Sequence, residues 1–105
     1  RNGKTIFDYF RDRGISHFAV YGYGVFGKQL LDELHFHDDM VCDFLIDKNA
    51  RGINIDIDVY SPEDEIPSTE IIIVSTIHIF EEVKNLLQNR TNSKVISIKE
   101  IINYF

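Results

Sequence analysis

Apolar positions along this chain recur in blocks whose spacing switches between helical and extended. Ile6, Phe7 and Phe10 share one helical face, behind a Thr5-Ile6-Phe7-Asp8 start of the Ser/Thr-x-x-acid kind and ahead of Gly14, which is placed to end the helix. His17–Tyr21 reads as the first strand. From Val25 to Phe36 the period becomes helical, with Gly27, Leu30, Leu31 and Leu34 on one side and Lys28 and Asp32 opposite. Val41–Ile46 is the second strand. Ile53, Ile55, Ile57 and Val59 alternate with polar residues, as in a half-buried strand or an extended connection. Ser61-Pro62-Glu63-Asp64 has the form of a short helix start, closed off by Pro67. Glu70–Ser75 is the most hydrophobic run and shows no alternation, as a central strand buried on both faces requires. Phe80, Val83, Leu86 and Leu87 align on a helix spanning Phe80–Asn89. Val95-Ile96 make a last strand, and Ser97-Ile98-Lys99-Glu100 forms a capping box for a terminal helix.

Strands alternating with helices imply βαβ units. The expected fold is α/β: a three-layer, Rossmann-like arrangement around a mostly parallel five-stranded sheet in the order 3-2-1-4-5. No linker, repeat or low-complexity stretch divides residues 1–105, so one domain is expected. It is smaller than a complete two-halved dinucleotide fold, with the second half abbreviated.

The chemistry concentrates where strand one meets its helix. Gly22-Tyr23-Gly24-Val25-Phe26-Gly27 is a GxGxxG loop in a strand–turn–helix setting, and Asp47 closes the second strand twenty residues past Gly27. Gly22 would let the chain turn sharply, Gly24 would let a pyrophosphate come close, and Gly27 would let the helix pack tightly. The phosphate would face the free N–H groups at the helix start. The alternative is a tight turn that merely needs glycine. Asp47 would accept both ribose hydroxyls of an adenosine and repel a 2′-phosphate, favouring NAD over NADP, while Lys48 beside it offers a phosphate partner. The alternative reading of Asp47 is a plain acidic loop residue at a strand end. Ser75 and Thr76 end the fourth strand beside the glycine loop, where their hydroxyls either touch a phosphate or sugar or cap the next helix. The predicted cofactor-binding set is thus Gly22, Tyr23, Gly24, Val25, Phe26, Gly27, Asp47, Lys48, Ser75 and Thr76. No catalytic residue is assigned: His78 lies near the cleft but lacks a partner at fixed spacing. His35 and His37 stand two apart, pointing to different sides of a helix, which is no metal pair. Tyr21, Tyr23 and Phe26 read as core or cleft wall.

Composition narrows the partners. The 105 residues are 44% hydrophobic with a net charge of −6 and no Lys/Arg cluster, which argues against a duplex-DNA or anionic-membrane surface. Cys42 is the only cysteine; a disulfide framework is excluded and a reducing cytoplasm is the expected setting. No apolar stretch approaches the roughly 20 residues that span a bilayer, and no signal-peptide pattern is present. The first residue is Arg1 and the only methionine is Met40, so a piece of a longer protein is expected.

Taken with Phe44-Leu45-Ile46-Asp47, Asp58-Val59-Tyr60-Ser61-Pro62 and Ile71–Ser75, the glycine loop gives the chain a resemblance over His17–Glu100. It resembles the small Rossmann domains attached to bacterial surface-sugar enzymes: sugar-nucleotide epimerase/dehydratases, pilin-glycosylation-type acetyltransferases and glycosyltransferase appendages. It departs from them in carrying Asp56-Ile57-Asp58 where a glycine turn is usual. The resemblance implies a bound nucleotide, NAD or the uridine diphosphate of a sugar nucleotide, near Gly22–Gly27, Asp47 and Ser75. The chain is also similar to nucleotide-sensing domains of potassium transport systems, through Gly22-Tyr23-Gly24 and Ile46-Asp47-Lys48. Those continue with Gly-Asp-Ala where this chain has Tyr60-Ser61-Pro62-Glu63. CoA-binding domains share the strand order. The expectation is a nucleotide-binding module of a sugar-modifying or surface-polysaccharide enzyme, not catalytic alone, with a second copy and a further domain as candidate partners. The competing readings are a ligand-free structural or dimerisation module and, last, a stand-alone oxidoreductase.

Overall fold

A computed structural model describes residues 5–104. Helix α1, Ile6–Asp12, starts as its sequence dictates: the Thr5 hydroxyl accepts the Phe7 N–H at 3.2 Å and the Asp8 carboxylate accepts the Thr5 N–H at 2.8 Å. Gly14, at φ +69°, lets the chain leave the helix. There follow β1 (His17–Tyr21), α2 (Val25–Leu34), β2 (Val41–Ile46), β3 (Val59–Tyr60), β4 (Ile71–Val74), α3 (Phe80–Gln88), β5 (Lys94–Ser97) and α4 (Ile98–Tyr104), with 3₁₀ turns at Ala50–Gly52 and Ile77–Ile79. All five strands are parallel, in the order β3-β2-β1-β4-β5. The expected architecture is the observed one.

The sheet separates two cores, since alternate strand residues face opposite ways. On one face Phe18, Val20, Leu45, Ile71, Ile73 and Ile96 meet Phe7 and Phe10 of α1, Leu30 of α2 and Ile98 and Ile101 of α4. On the other, Ala19, Tyr21, Phe44, Ile46, Ile72 and Val74 meet Val83 and Leu87 of α3 and Ile66 of the β3–β4 connection. Cys42 belongs to the first core, and burial pushes its thiol up to about 12, well away from reactivity at neutral pH.

Two expectations need correction, and one pair of alternatives is resolved. The alternating segment is an extended connection that ends in the two-residue strand β3. Its Ile55 and Ile57 pack against the first core. Ser61–Asp64 makes a turn and no helix: the Ser61 N–H donates to the Asp64 carboxylate at 2.8 Å, but Ile66 drops into the second core and Pro67 disfavours helical backbone before it. Helix α2 ends at Leu34 rather than Phe36, because His37 turns back to stack on Phe7 at 4.0 Å and to accept an Arg11 N–H at 2.8 Å. Among the described residues no helix is long and apolar enough to cross a membrane.

At the amino edge of the sheet, β2 carries Asp43 as an extra residue against β1, in a register shift between Phe18 and Ala19. Its carboxylate takes His17 Nδ1 at 2.8 Å and the Thr69 hydroxyl at 2.7 Å. Beside it, Glu70 accepts the N–H groups of Ser16 and His17 at 3.2 and 2.9 Å. The Asp43 hydrogen bond, helped by its charge, raises the His17 pKa; the main-chain donors hold Glu70 below the usual carboxylate range. The two contributions oppose each other in pH. That of His17 is full below its ordinary value of about 6.5 and is lost as pH rises through its folded value; that of Glu70 is present above the ordinary carboxylate range and is lost as pH falls through its folded value. In an NMR titration His17 should therefore show a midpoint above that of a free imidazole, returning to it in Asp43→Asn. An unchanged midpoint in the variant would remove the pairing as the cause.

Candidate functional site

Because β1 pairs with both β2 and β4, the carboxyl ends of these three strands lie side by side, and the chain leaves β1 at the point where the strand order reverses. Gly22 takes φ +100°, a conformation that side-chain-bearing residues rarely adopt, and a Cβ there would run into the Ser75 hydroxyl. Ser75 is turned inward. Its N–H and its hydroxyl both donate to the Tyr21 carbonyl, at 3.1 and 2.9 Å, and the hydroxyl also lies 3.3 Å from the Gly22 carbonyl. At Gly27 a Cβ would come within 2.7 Å of the Gly22 carbonyl oxygen, so the missing side chain lets α2 begin close against the loop.

Gly24 differs from both. Its φ of −95° is open to any residue, and a Cβ there would meet nothing within 4 Å. It is the N-cap of α2, with no side-chain capping hydrogen bond and no acid in the first turn. The N–H groups at the start of the helix are thus left without a side-chain cap. Val25 is 75% exposed at this mouth, while Phe26 packs against the first core.

Asp47 leaves β2 and bridges two walls. Its carboxylate accepts the Tyr23 N–H at 2.7 Å through Oδ2 and the Asn49 N–H at 2.8 Å through Oδ1, fastening the glycine loop to the turn after β2. Each oxygen keeps a further lone-pair site. Beside it lies a cleft of about 420 Å³, lined by Tyr23, Lys28, Asp47, Asn49 and residues 52–55. That size falls in the range of roughly 300–1,000 Å³ typical of small-molecule pockets. The Lys28 ammonium stands 5.5 Å from the centre of the Tyr23 ring.

No family model, curated protein or solved structure matches the chain. The site is accordingly read from its own chemistry.

The predicted residues Gly22 to Gly27, Asp47, Lys48, Ser75 and Thr76 all lie at or just past the carboxyl ends of β1, β2 and β4, but of them only Tyr23 and Asp47 line the cleft. Ser75 and Thr76 do not act as caps: Ser75 closes β4 onto β1, and Thr76 precedes the 3₁₀ turn without a side-chain hydrogen bond. His78 is exposed in that turn and, among the described residues, forms no hydrogen bond or ion pair that would orient it as an acid or base. Lys28, Asn49 and the 52–55 segment were not foreseen. Lys28 carried a signal, since it directly follows the third glycine, but the helical period put it on the solvent side. Residues 53–55 were hidden in the alternation that reads as a strand. Together these groups can offer main-chain donors and a cation to an anion, and carboxylate oxygens to hydroxyls.

Proposed function

We propose that this domain binds a nucleotide at the carboxyl edge of its sheet, with a pyrophosphate over Gly24 and the first turn of α2 and a nucleoside in the cleft beside Asp47. Gly24 carries this reading. Gly22 and Gly27 are needed by the protein itself; at position 24 the N-cap favours glycine, but no contact among the described residues requires it. An absent side chain over open space is what close approach of a phosphate to the main chain asks for. The second lone-pair sites of Asp47 suit the hydroxyls of a ribose. NAD and UDP-sugars share the ribose–pyrophosphate unit that these groups suit, and among the described residues no acid–base pair is arranged beside it. We therefore read the domain as a nucleotide-binding module of a cytoplasmic sugar-modifying or surface-polysaccharide enzyme whose reacting groups lie elsewhere; the resemblance to surface-sugar domains supports that context.

Calorimetric titration with NAD, NADP, a UDP-sugar and CoA tests this. One of the four should bind more tightly than about 1 mM, a free energy of about 4 kcal/mol. Absence of heat and of any thermal shift with all four would favour a purely structural module. That second reading has its own observation: the hydrogen bonds of Asp47 and Ser75 fasten the glycine loop to its neighbouring segments.

A further inference from the structure

At the other end of the strands from the glycine loop, a second cleft of about 260 Å³ opens between residues 66–68, ahead of β4, and residues 88–92, ahead of β5. Its two walls are pinned together by hydrogen bonds whose directions are fixed. The Thr69 N–H donates to Ser93 Oγ at 2.7 Å, and the Thr91 hydroxyl donates to the Pro67 carbonyl at 3.0 Å. A hydroxyl has one hydrogen, so at the 2.9 Å contact between these two side chains Ser93 donates and Thr91 accepts. Arg90 Nη1 adds a third tie, donating to the Glu63 carbonyl at 2.9 Å. The hydroxyls of Thr91 and Ser93 are thus committed to holding the walls.

What the cleft offers a ligand is a different set. Ser68, Gln88, Asn89 and Asn92 line it, four uncharged side chains that both donate and accept. The chain carries 17 acidic residues, yet none of those described lines this cleft. Arg90 is the one cation in the lining. It stands just past the C-terminal end of α3, whose partial negative charge it offsets, so it does not call for an anion. Ile66 supplies an apolar part of the lining. The ligand that answers such a set is small and uncharged, with several hydroxyls that give and take hydrogen bonds and a C–H face between them. The volume lies just below the roughly 300 Å³ at which typical small-molecule pockets begin, which suits one ring rather than a nucleotide. We infer that this cleft is a second ligand site, separate from the nucleotide edge, and that it takes a neutral sugar in its pyranose form.

Heteronuclear NMR on isotope-labelled protein reads the side-chain amide signals of Gln88, Asn89 and Asn92 directly. The probes are glucose, galactose, mannose and their methyl glycosides, with glycerol, glucuronate and inorganic phosphate beside them. At least one neutral sugar should shift these signals saturably, with a Kd below about 10 mM. Asn89 and Asn85 are both exposed, and an unchanged Tm will show that their alanine variants fold. Asn89→Ala removes a donor and an acceptor from the cleft and should weaken the sugar at least about fivefold. Asn85→Ala, on the same helix but outside the cleft, should leave the Kd as it is. Arg90→Gln, which keeps a donor but no charge, should change the affinity by less than about threefold. Equal binding of a sugar and its methyl glycoside supports a unit of a glycan, and binding of the free sugar alone supports a small metabolite. Four results would overturn the inference: no saturable shift with any neutral sugar, equal shifts from glycerol at the same concentration, an Asn89→Ala Kd equal to the parent's, or shifts from glucuronate or phosphate alone that vanish in Arg90→Gln. The last would make the cleft an anion site.

Discussion

Replacing Gly22 by alanine should destabilise the domain by about 2–4 kcal/mol. Two costs combine. A side-chain-bearing residue held at φ +100° carries backbone strain of about 1–3 kcal/mol. The new Cβ also overlaps the Ser75 hydroxyl, which must give up its hydrogen bond to the Tyr21 carbonyl, a loss of about 1 kcal/mol. Urea denaturation of a double-mutant cycle separates them. In a Ser75→Ala background the obstructing oxygen is gone, and the nearest remaining Ser75 atom, its Cβ, is 3.8 Å from the new carbon. Gly22→Ala should then cost about 1 kcal/mol less than in the parent. Equal costs in both backgrounds would show that Ser75 does not set the requirement.

Gly24→Val should behave in the opposite way, leaving the fold almost untouched and abolishing binding. The backbone at position 24 suits valine, and among the described residues beyond its chain neighbours a Cβ there meets nothing within 4 Å. The preference for glycine over valine at an N-cap is lost, a cost of about 1 kcal/mol. A branched side chain there would stand where the phosphate has to come, so affinity for whichever nucleotide binds the parent should fall at least tenfold, about 1.4 kcal/mol. Thermal melting and calorimetry on the same sample check both halves. If Gly24→Val binds as well as the parent, the phosphate does not lie over this loop. The contrast between two glycines only two residues apart is the sharper result, because it assigns one to the protein and the other to the ligand.

Much of the fold was legible because each element announces itself by a different spacing. Ile71–Val74 is apolar at every position and is buried at every position; Thr5 with Asp8 and Gly14 bracket a helix where they should. The strand order followed from alternation of strands and helices around the glycine loop. What failed to show in the sequence depended on tertiary partners. The alternation of Ile55 and Ile57 left a strand and an extended connection unseparated, because it registers burial of one side, which both produce. The form of a helix start at Ser61 was real as a turn, but continuing it would have withdrawn Ile66 from the core. At the site, the hydrogen bonds by which Ser75 and Asp47 hold the glycine loop were not legible in the sequence. Both act on backbone groups more than twenty residues away in the chain, which no local spacing encodes.

The central place of β1 has a consequence for how the chain is made. Val20 sits between Leu45 on one side and Ile73 on the other, so the middle of the sheet is assembled from three widely separated stretches of sequence. During synthesis the first of these emerges long before the last, and its apolar residues have no second neighbour until β4 has left the ribosome. Pairings this distant close slowly, and such sheets are exposed to wrong partners while they wait. The earliest shelter on offer is local: α1, whose Phe10 ring lies 4.8 Å from that of Phe18, can cover one side of the strand before the rest of the sheet exists. The short helix α1, made just before β1, thus has the position of a built-in escort for the nascent strand.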